Sequence, residues 1–305
     1  MDLIRRLKLT HLRLILKIAE VGQIQIAAST LAMSQPAASR ILAEIEREVE
    51  ALLFTRTPKG MEPTSVGEAF LRHARVVLSE LDSLEKEVRG LSTGQSGEVR
   101  IGTVTGPAVG ILMPVVQQIR EEAPDMSITI EVSPSTDLVR GLEEGRFDFV
   151  IARIPASQSS QDFLVHPARS EVVQLLVRKM HPLAGHTNVS LGDLLEFDWA
   201  IQERGSPIRQ AVELAFHNRG VPTPPRVMNS SSLLIIQSLL ATSDVIAPQS
   251  REVAEMLTGK DFGANLTVID LKEDITVPPY FVIRHYARQL RQAAEMIYTR
   301  VLQNL

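Results

Sequence analysis

The side chains best suited to reading a nucleic acid lie close together near the N-terminus of the 305-residue chain. Gln35, Ser39 and Arg40 share one face of a helix that is predicted to begin after Ser34, with Pro36 in its first turn. Glutamine can pair bidentately with adenine and arginine with guanine, while serine can contact a base or a phosphate. This spacing predicts base recognition by a helix that lies in a major groove.

Three short helices are needed to position that face. Gly22 separates a first helix at 9–20 from a short second one, and a tight turn leads into the third. The residues predicted to face inward are Leu9, Leu12, Leu16 and Ala19 on the first helix and Ala38, Ile41, Leu42, Ile45 and Val49 on the third. The arrangement is typical of a helix-turn-helix. A plain three-helix bundle with a solvated polar face fits the periodicity equally well.

The residues themselves, and not only their periodicity, match a known pattern. The stretch AASTLAMSQPAASRILAEIE (27–46), followed by LLFTRTPKGMEPTSVGEAFL (52–71), resembles the signature region of LysR-type transcriptional regulators. The matching residues are the paired alanines, Ser34-Gln35-Pro36-Ala37, Ser39-Arg40, Leu53-Phe54, Arg56, Gly60, Thr64 and Gly67. The resemblance implies a winged helix-turn-helix over 1–64 that binds double-stranded DNA.

The resemblance also implies a role for each matching polar residue. The recognition helix would contact bases through Gln35, Ser39 and Arg40 and phosphate through Ser34, with Pro36 at its start. Residues 53–64 would form the wing, anchored by Phe54, and would direct Arg56 and Lys59 at phosphates. Phosphate contacts supply affinity without reading sequence. The alternative for Arg56 and Lys59 is ordinary surface charge.

One position departs from the family pattern. Members of the family usually carry a glycine just after the recognition helix, where this chain has Glu50 and Ala51. Without glycine, the helix is expected either to run on or to end in a strained turn. The entry into the wing depends on which of these occurs.

The most regular apolar pattern in the chain follows the wing. Apolar residues over 65–91 recur alternately every four and every three positions, as in a coiled coil, and charged residues fill the other faces. The seam consists of Phe70, Ala74, Val77, Leu81, Leu84, Val88 and Leu91. It predicts a helix that pairs with a second copy and spaces two recognition helices on a roughly palindromic site. The alternative is a helix packed against its own domain.

From Glu98 onward, predicted strands and helices alternate, which favours βαβ units and a parallel sheet. The predicted strands are 99–102, 127–132, 147–153, 172–178, 243–247, 266–271 and 280–284, and the predicted helices are 107–121, 136–145, 207–219, 232–241 and 287–303. The fold class is therefore α/β overall, with a mainly helical N-terminal part. The LysR resemblance implies that this region is a two-lobed effector domain similar to periplasmic binding proteins.

The predicted division has three parts. Residues 1–64 form the DNA-binding domain, 65–97 the linker helix and hinge, and 98–305 the effector-binding domain. The chain is expected to cross between lobes near 162–170 and 266–278. Lobe 1 then covers about 98–165 and 272–305, and lobe 2 covers about 166–271.

Ligands of open α/β sheets bind at the carboxyl ends of strands, near the N-termini of helices. The predicted effector-binding residues at these positions are Thr103, Thr105, Gly106, Ser135, Thr136, Arg153, Gln202, Ser206, Pro207 and Ser231. Hydroxyl and amide groups suit a sugar, a carboxylate or a phosphate, and Arg153 could pair with an anion. Each serine or threonine could equally be an ordinary helix cap.

Other functional classes find little support. The chain has no cysteine, no G-x-S-x-G, H-E-x-x-H or Walker sequence, and no dinucleotide fingerprint. His181 and His186 flank a predicted turn without partner ligands nearby. We therefore expect no catalytic site, metal or cofactor. The N-terminus does not resemble a signal peptide and no apolar run reaches membrane-spanning length, so a cytoplasmic protein without a membrane partner is expected.

Net charge is a weak guide. The chain carries −4 overall, with +2 in residues 1–64 and −6 in the remainder. The LysR resemblance instead implies a dimeric or tetrameric DNA-binding regulator whose cleft closes on an effector and so changes the geometry of the DNA-bound pairs. Within the family, RTPKGMEPT (56–64) and RHAR (72–75) resemble the branch near galactose-binding-protein regulators and some aromatic-catabolism regulators, which implies a sugar or a small organic acid as effector. The alternative is a solute-binding or interaction module without a DNA role, and salt-dependent DNA binding separates the two.

Overall fold

The computed structural model describes residues 7–58, 60–93, 98–155, 162–262 and 265–305. The chain divides into two compact units. The first comprises the chain up to Arg100 together with Asp125–Ile128 and Val139–Asp148, and the second comprises Ile101–Pro124, Thr129–Leu138 and Phe149–Leu305. This grouping reflects packing, and the functional boundaries expected at 64 and 97 remain predictions.

Three helices, a two-stranded wing and a long helix begin the first unit. The elements are α1 (Leu9–Val21), α2 (Ile24–Thr30), α3 (Gln35–Val49), β1 (Phe54–Thr57), β2 (Gly60–Pro63) and α4 (Ser65–Thr93). The wing strands are antiparallel, with Phe54 opposite Pro63. The helix-turn-helix and wing expected from the sequence are therefore present.

The inward face of α1 was predicted only in part. Leu12 is buried as predicted, and Leu16 and Ala19 are partly buried against the core. Leu9 is 45% exposed, however, and Leu14, Ile15 and Ile18, which were not predicted to face inward, are completely buried. Apolar residues lie on several sides of this helix, so its periodicity was ambiguous. The long helix α4 packs against α1 together with α2 and α3, and these neighbours decide which apolar side is covered.

The structure shows how α3 ends without the glycine that is usual in the family. Glu50 adopts the left-handed conformation (φ 57°, ψ 27°), and its N–H donates to the Arg47 carbonyl. This is the strained turn that the sequence allowed, because a residue with a Cβ occupies a conformation that favours glycine. The helix ends where a glycine would end it.

We expect Glu50→Gly to stabilise the N-terminal domain by about 1 kcal/mol, because it relieves this left-handed strain. Urea denaturation of the full chain, followed by circular dichroism, measures the shift in midpoint. Ala43→Gly is the matched control, since Ala43 is exposed within α3 and glycine there should instead cost about 1 kcal/mol. Equal destabilisation by both substitutions would contradict the assignment of strain to Glu50.

Two glycines and a threonine hold the wing against the helices. A Cβ at Gly60 would lie 2.5 Å from the carbonyl oxygen of Gly22, and a Cβ at Gly67 would overlap the backbone of Leu53. Thr64 Oγ1 donates to the Leu52 carbonyl at 2.7 Å and accepts from the Gly67 N–H at 3.0 Å. These contacts explain why such residue types are needed at these positions.

The C-terminal part contains two main sheets. The strands of this part are β3 (Glu98–Thr103), β4 (Ser127–Val132), β5 (Phe149–Ala152), β6 (Phe163–Pro167), β7 (Glu171–Arg178), β8 (Trp199–Ile201), β9 (Val227–Asn229), β10 (Ala247–Ser250), β11 (Leu266–Val268), β12 (Ile275–Val277) and β13 (Phe281–His285). One sheet has the strand order β4-β3-β5-β13-β6, and the other places β10 and β11 on either side of β7, with β12 also pairing with β7.

Helices flank both sheets. They are α5 (Thr105–Pro107), which continues through a π-helical turn (Ala108–Leu112) into α6 (Met113–Glu122), and then α7 (Ser135–Glu143), α8 (Pro207–Asn218), α9 (Leu233–Thr242), α10 (Arg251–Thr258) and α11 (Gln292–Gln303). Short 3-10 turns occupy Leu191–Glu196 and Lys260–Phe262. The α/β class and the two lobes are confirmed. No helix in the described ranges is long and apolar enough to cross a membrane.

Several details of the sheet prediction are wrong, and the strands β6, β8, β9 and β12 were not predicted. The sheets are mixed: β3 and β5 are parallel, as are β8 and β9, but β13 runs antiparallel to β5, and β7 is antiparallel to β10, β11 and β12. The strand expected at 243–247 lies at Ala247–Ser250, followed directly by α10, which was not predicted. Strand direction and exact ends depend on non-local pairing, which local pattern does not reveal.

The chain passes between the sheets twice. It leaves the first sheet after β6, enters the second at β7, and returns between β12 and β13. The first crossing lies within the expected region, whereas the return comes a few residues late because β12 still pairs with β7. Each lobe has its own aromatic pair: the ring centroids of Phe149 and Tyr298 are 5.4 Å apart, and those of Trp199 and Phe216 are 5.7 Å apart.

Candidate functional site

Helix α3 is divided into a buried apolar face and an exposed polar face. Ala38, Leu42 and Ile45 are buried against α1 and α2. The residues predicted to contact DNA from this helix, Ser34, Gln35, Pro36, Ser39 and Arg40, are all exposed. Ser34 is the N-cap, and its hydroxyl oxygen accepts from the Ala37 N–H at 3.4 Å. The helix thus presents one continuous polar surface that begins at its N-terminus.

The wing is fixed to the same helix by a carboxylate. Glu46 Oε1 accepts hydrogen bonds from the backbone N–H groups of Leu53 at 2.8 Å and Phe54 at 3.4 Å. Phe54 is 4% exposed and anchors the first wing strand, while Arg56 is exposed on that strand. Lys59 lies outside the described residues. These bonds attach to α3 the start of the strand that carries Arg56, the predicted phosphate contact.

The seam of α4 changes character along its length. Ala74 is buried, but farther along Val77, Leu81, Leu84 and Val88 are 45%, 38%, 55% and 57% exposed. Phe70 is partly buried in the core, and the Leu91 side chain lies outside the described ones. A single copy of the chain therefore leaves most of the described seam uncovered, as expected for a helix that pairs.

The residues predicted to bind an effector fall into two groups. Gly106, Ser135 and Arg153 come together in the first lobe, where Ser135 Oγ accepts from the Arg153 N–H at 3.1 Å. Gln202, Ser206 and Ser231 lie together in the second. Several hydroxyls have local roles: Thr103 is buried and donates to the Val104 carbonyl, Ser206 caps α8, and Ser231 donates to Glu203. Thr105 and Thr136 are exposed, and Pro207 begins α8.

Arg153 is engaged in an ion pair across the first crossing. Its Nη2 contacts Glu171 Oε2, and its Nε donates to the Pro278 carbonyl at 2.9 Å. The two side chains are 15% and 4% exposed, so this pair is shielded from water. Glu171 is the first residue of β7, and Arg153 follows β5. Arg153 therefore contacts both segments through which the chain passes between the two sheets, at Glu171 on the first passage and at Pro278 on the return.

Gly106 allows the close approach of this carboxylate. A Cβ at Gly106 would overlap Glu171 Oε1 and lie 3.0 Å from Ser250 Oγ. Any side chain there would displace either group. The start of α5 and the end of β10 thus meet at one point, beside the Arg153–Glu171 pair.

Three strands of the second lobe end together at the same edge. Trp199 of β8 forms a parallel bridge with Ile246, and Ile201 pairs in parallel with Asn229 of β9. Continuing the Trp199–Ile246 pairing by three residues places Gln202 beside Gln249, and continuing the Ile201–Asn229 pairing by one residue places Gln202 beside Ser230. Buried Arg209 supports the edge, because its Nη1 donates to the Gln202 carbonyl at 3.2 Å and also to Asn229.

Several polar atoms at this edge are buried without a hydrogen-bond partner. They are Gln202 Oε1, Gln249 Nε2, Ser250 Oγ and Glu252 Oε2. Most buried polar side-chain atoms in folded proteins are hydrogen-bonded, so a concentration of unpaired ones often marks a functional site. Here they surround the carboxyl ends of β8 and β10.

Tyr280 lies in the same region, directly before β13. Burial raises its pKa to about 12, and the negative charges of Glu252 and Glu171 add to this effect, against Arg169 and Arg153. The phenol is therefore protonated at neutral pH. The tyrosine hydroxyl can act as a donor beside the two carboxylates.

His181 has a structural position. Its Nδ1 accepts from the Leu183 N–H at 3.1 Å, and its Nε2 lies 3.2 Å from the Asp244 carbonyl. Burial lowers its pKa, consistent with a neutral ring that accepts at one nitrogen and donates at the other. Among the described residues, no cluster of three potential ligands could hold a metal.

Sequence reasoning missed Glu171, Gln249 and Ser250. The rule that selects residues at the carboxyl ends of strands would have found the last two, had β10 been predicted to end at Ser250. Glu171 begins an apolar strand, and a single charge there is a weak signal. Its contact with Arg153 joins residues 18 positions apart and required the folded chain.

Comparison with known proteins places both parts of the chain in one family. Residues 9–68 match the family described as bacterial regulatory helix-turn-helix protein, lysR family, and residues 92–305 match the LysR substrate binding domain. The chain is 36% identical over 254 residues to the transcriptional regulator GbpR of Rhizobium radiobacter, covering 83% of this chain and 84% of that protein. It is 34% identical over 276 residues to GbpR of Azospirillum brasilense, covering 90% and 80%.

Solved structures agree in fold. A full-length OxyR variant from Pseudomonas aeruginosa has a TM-score of 0.63 at 20% identity, covering 97% of this chain and 95% of that one. Full-length CbnR in complex with its target DNA has a TM-score of 0.62 at 18% identity, covering 98% and 100%. The two family matches confirm the predicted resemblance to LysR-type regulators, and the solved structures agree with the fold that this resemblance implied. The chain belongs to the LysR family, whose members are DNA-binding transcription regulators with an effector-binding C-terminal domain.

Proposed function

We propose that this regulator acts as a homodimer, or a tetramer built from such dimers, that reads a roughly palindromic promoter site through Gln35, Ser39 and Arg40. The carrying observation is the exposed polar face of α3 opposite a buried apolar one. Ser34, Arg56 and Lys59 would contact phosphates. A role on promoter DNA implies a cytoplasmic location.

The effector is proposed to be a small polar molecule, a sugar or an organic acid, bound where the strands of the two lobes end. The proposal is supported by the meeting of Gly106, Arg153 and Ser250 at one point and by the unpaired polar atoms nearby. A ligand that satisfied those atoms would favour one arrangement of the lobes over another. Its differential affinity for the two arrangements would supply the regulatory signal.

We expect Arg40→Ala to weaken binding to the specific site by about 1–3 kcal/mol and to relax the preference at one base position. Fluorescence anisotropy with the full chain and a DNA fragment from its own promoter region, in parallel with a scrambled fragment, measures both effects. Arg120→Ala removes the same charge from an exposed position in the effector domain and should leave both affinities unchanged.

Other outcomes would change the assignment. An equal loss on specific and scrambled DNA would make Arg40 a phosphate contact. A wild-type chain that forms no site-specific, salt-dependent complex would contradict the DNA-reading role proposed for α3.

A further inference from the structure

We infer that the effector cleft takes a neutral, polyhydroxylated ligand of the sugar class, and not an anionic acid, with Gln202, Gln249 and Ser250 supplying hydrogen bonds. The inference rests on the proposed function, because it concerns the ligand of the same cleft. Two observations carry it. Arg153, which the sequence predicted as the anion-binding residue, is already neutralised, and the unpaired polar atoms include both donors and acceptors.

The positive charge of Arg153 is satisfied within the protein. Its guanidinium contacts the Glu171 carboxylate and the Pro278 carbonyl, and the Glu171 side chain is only 4% exposed. An anionic ligand that took over Arg153 would leave a buried carboxylate without its partner. Breaking such a pair is strongly unfavourable, because the abandoned charge is neither hydrated nor compensated.

The negatively charged side chains near the cleft also disfavour an anionic ligand. Glu252 has a buried carboxylate oxygen without a hydrogen-bond partner. The raised pKa of Tyr280 reflects the same balance, since beyond burial it is increased by Glu252 and Glu171 and lowered less by Arg169 and Arg153. An incoming carboxylate would meet the negative charges of Glu252 and Glu171, which affect Tyr280 more strongly than the opposing charge of Arg169 does.

The unpaired atoms require a ligand that both donates and accepts. Gln249 Nε2 can only donate, Gln202 Oε1 can only accept, and Ser250 Oγ can do both. A carboxylate only accepts and an ammonium only donates, so each would leave one kind of atom unsatisfied. Hydroxyl groups do both, and a molecule with several of them satisfies the whole set.

These atoms are close enough to serve one small ligand. Gln202 and Gln249 follow neighbouring strands, β8 and β10, and adjacent strands lie about 4.8 Å apart. Gln249 and Ser250 are 5% and 2% exposed, and Ser250 faces the start of α5 at Gly106. Ligand entry therefore requires the lobes to separate at this edge, which couples occupancy to lobe arrangement.

Matched ligands test the charge preference directly. Thermal unfolding of the full chain is followed with D-glucose, D-galactose and L-arabinose and, in parallel, with D-glucuronate, D-galacturonate and L-arabinonate. We expect at least one neutral sugar to raise the melting temperature while the acid of the same skeleton has no effect. A shift with acids and none with sugars, or no shift with any of these compounds, overturns the inference.

Two variants tie the effect to this cleft. Gln249→Met keeps the side-chain length but removes the unpaired amide, so sugar affinity should fall about tenfold or more without loss of unliganded stability. Glu171→Gln frees Arg153 and should raise affinity for the matching acid about tenfold. Asp244→Asn is the control, because it frees Arg178 at the opposite end of β7, about 23 Å away, and should not create acid binding.

The two proposals can fail separately. Acids that bind wild type and lose affinity in Gln249→Met would overturn the neutral-ligand inference and leave the cleft assignment standing. A sugar shift that persists in Gln249→Met and is unchanged in Glu171→Gln would place the ligand elsewhere, and the proposed effector cleft would then fail as well.

Discussion

Replacing Leu84 with aspartate is expected to convert the dimer to a monomer in sedimentation velocity at micromolar concentration. Leu84 is 55% exposed in the single chain and lies in the middle of the α4 seam. Pairing two such helices would bury it against its counterpart, and a carboxylate cannot be buried there without a partner. Because both copies carry the change, we expect a loss of about 3 kcal/mol or more, about 100-fold in the dissociation constant.

His73→Asp provides the matched control for this prediction. It also introduces a carboxylate into α4, but at an exposed position outside the seam, and should leave the dimer intact. If Leu84→Asp sedimented as a dimer, the helix pairing would be wrong and the exposed seam would need another occupant. The monomer should also bind a palindromic site weakly, since two recognition helices would no longer be linked.

Removing Arg153 is expected to destabilise the C-terminal domain by about 3–5 kcal/mol, because Glu171 would remain buried with an uncompensated charge. Chemical denaturation of the full chain, followed by the fluorescence of Trp199, reports on the second lobe. Trp199 is buried in that core, so its emission follows loss of packing.

A double variant separates the cost of an orphaned charge from the value of the pair. Arg153→Met with Glu171→Leu removes both charges and should recover most of the lost stability, since apolar replacement of a buried pair is often nearly neutral. Arg178→Ala breaks a half-exposed pair at the other end of β7 and should change the midpoint little. A small effect of Arg153→Ala would mean that water reaches Glu171 and that the pair is not shielded.

The N-terminal domain could be predicted almost completely, with one informative exception. Short-range spacing is enough to identify α3, its cap at Ser34 and its polar face, since these depend on neighbours within a few residues. The buried side of α1 was predicted only in part, because several of its sides are apolar and the packing of α2, α3 and α4 decides which of them are covered. Glu50 shows the reverse case, in which tertiary packing holds a residue in a conformation that its type disfavours.

The effector domain was predictable as an architecture but not as a site. Strand and helix alternation predicted an α/β fold, the LysR resemblance implied two lobes, and the carboxyl-end rule selected Gly106, Ser135 and Arg153, which the fold brings together. Their partners Glu171, Gln249 and Ser250 come from distant parts of the chain. Pairing of β10 with β7, which brings these three residues to one edge, joins segments about 75 residues apart and leaves no local signature.

Arg153 illustrates the limit for the site chemistry. Its type and position suggested an anion-binding cation, but the folded chain neutralises it with Glu171 before any ligand arrives. Local pattern reveals which residues carry charge, whereas their availability depends on what packs against them.

The sequence by itself determined the recognition helix, its wing, the seam that runs on from them, and the two-lobed class of the effector domain. The recognition helix and the seam follow from periodicities and residue types within single elements, and the wing and the two lobes follow from the resemblance to the LysR family. Tertiary structure alone decided which side of α1 is covered, that the sheets are mixed, and that a neutralised arginine lies beside unpaired hydroxyl and amide groups. The reason is physical: a helix or strand has an apolar side by its own composition, but its partner is selected by contacts between distant segments.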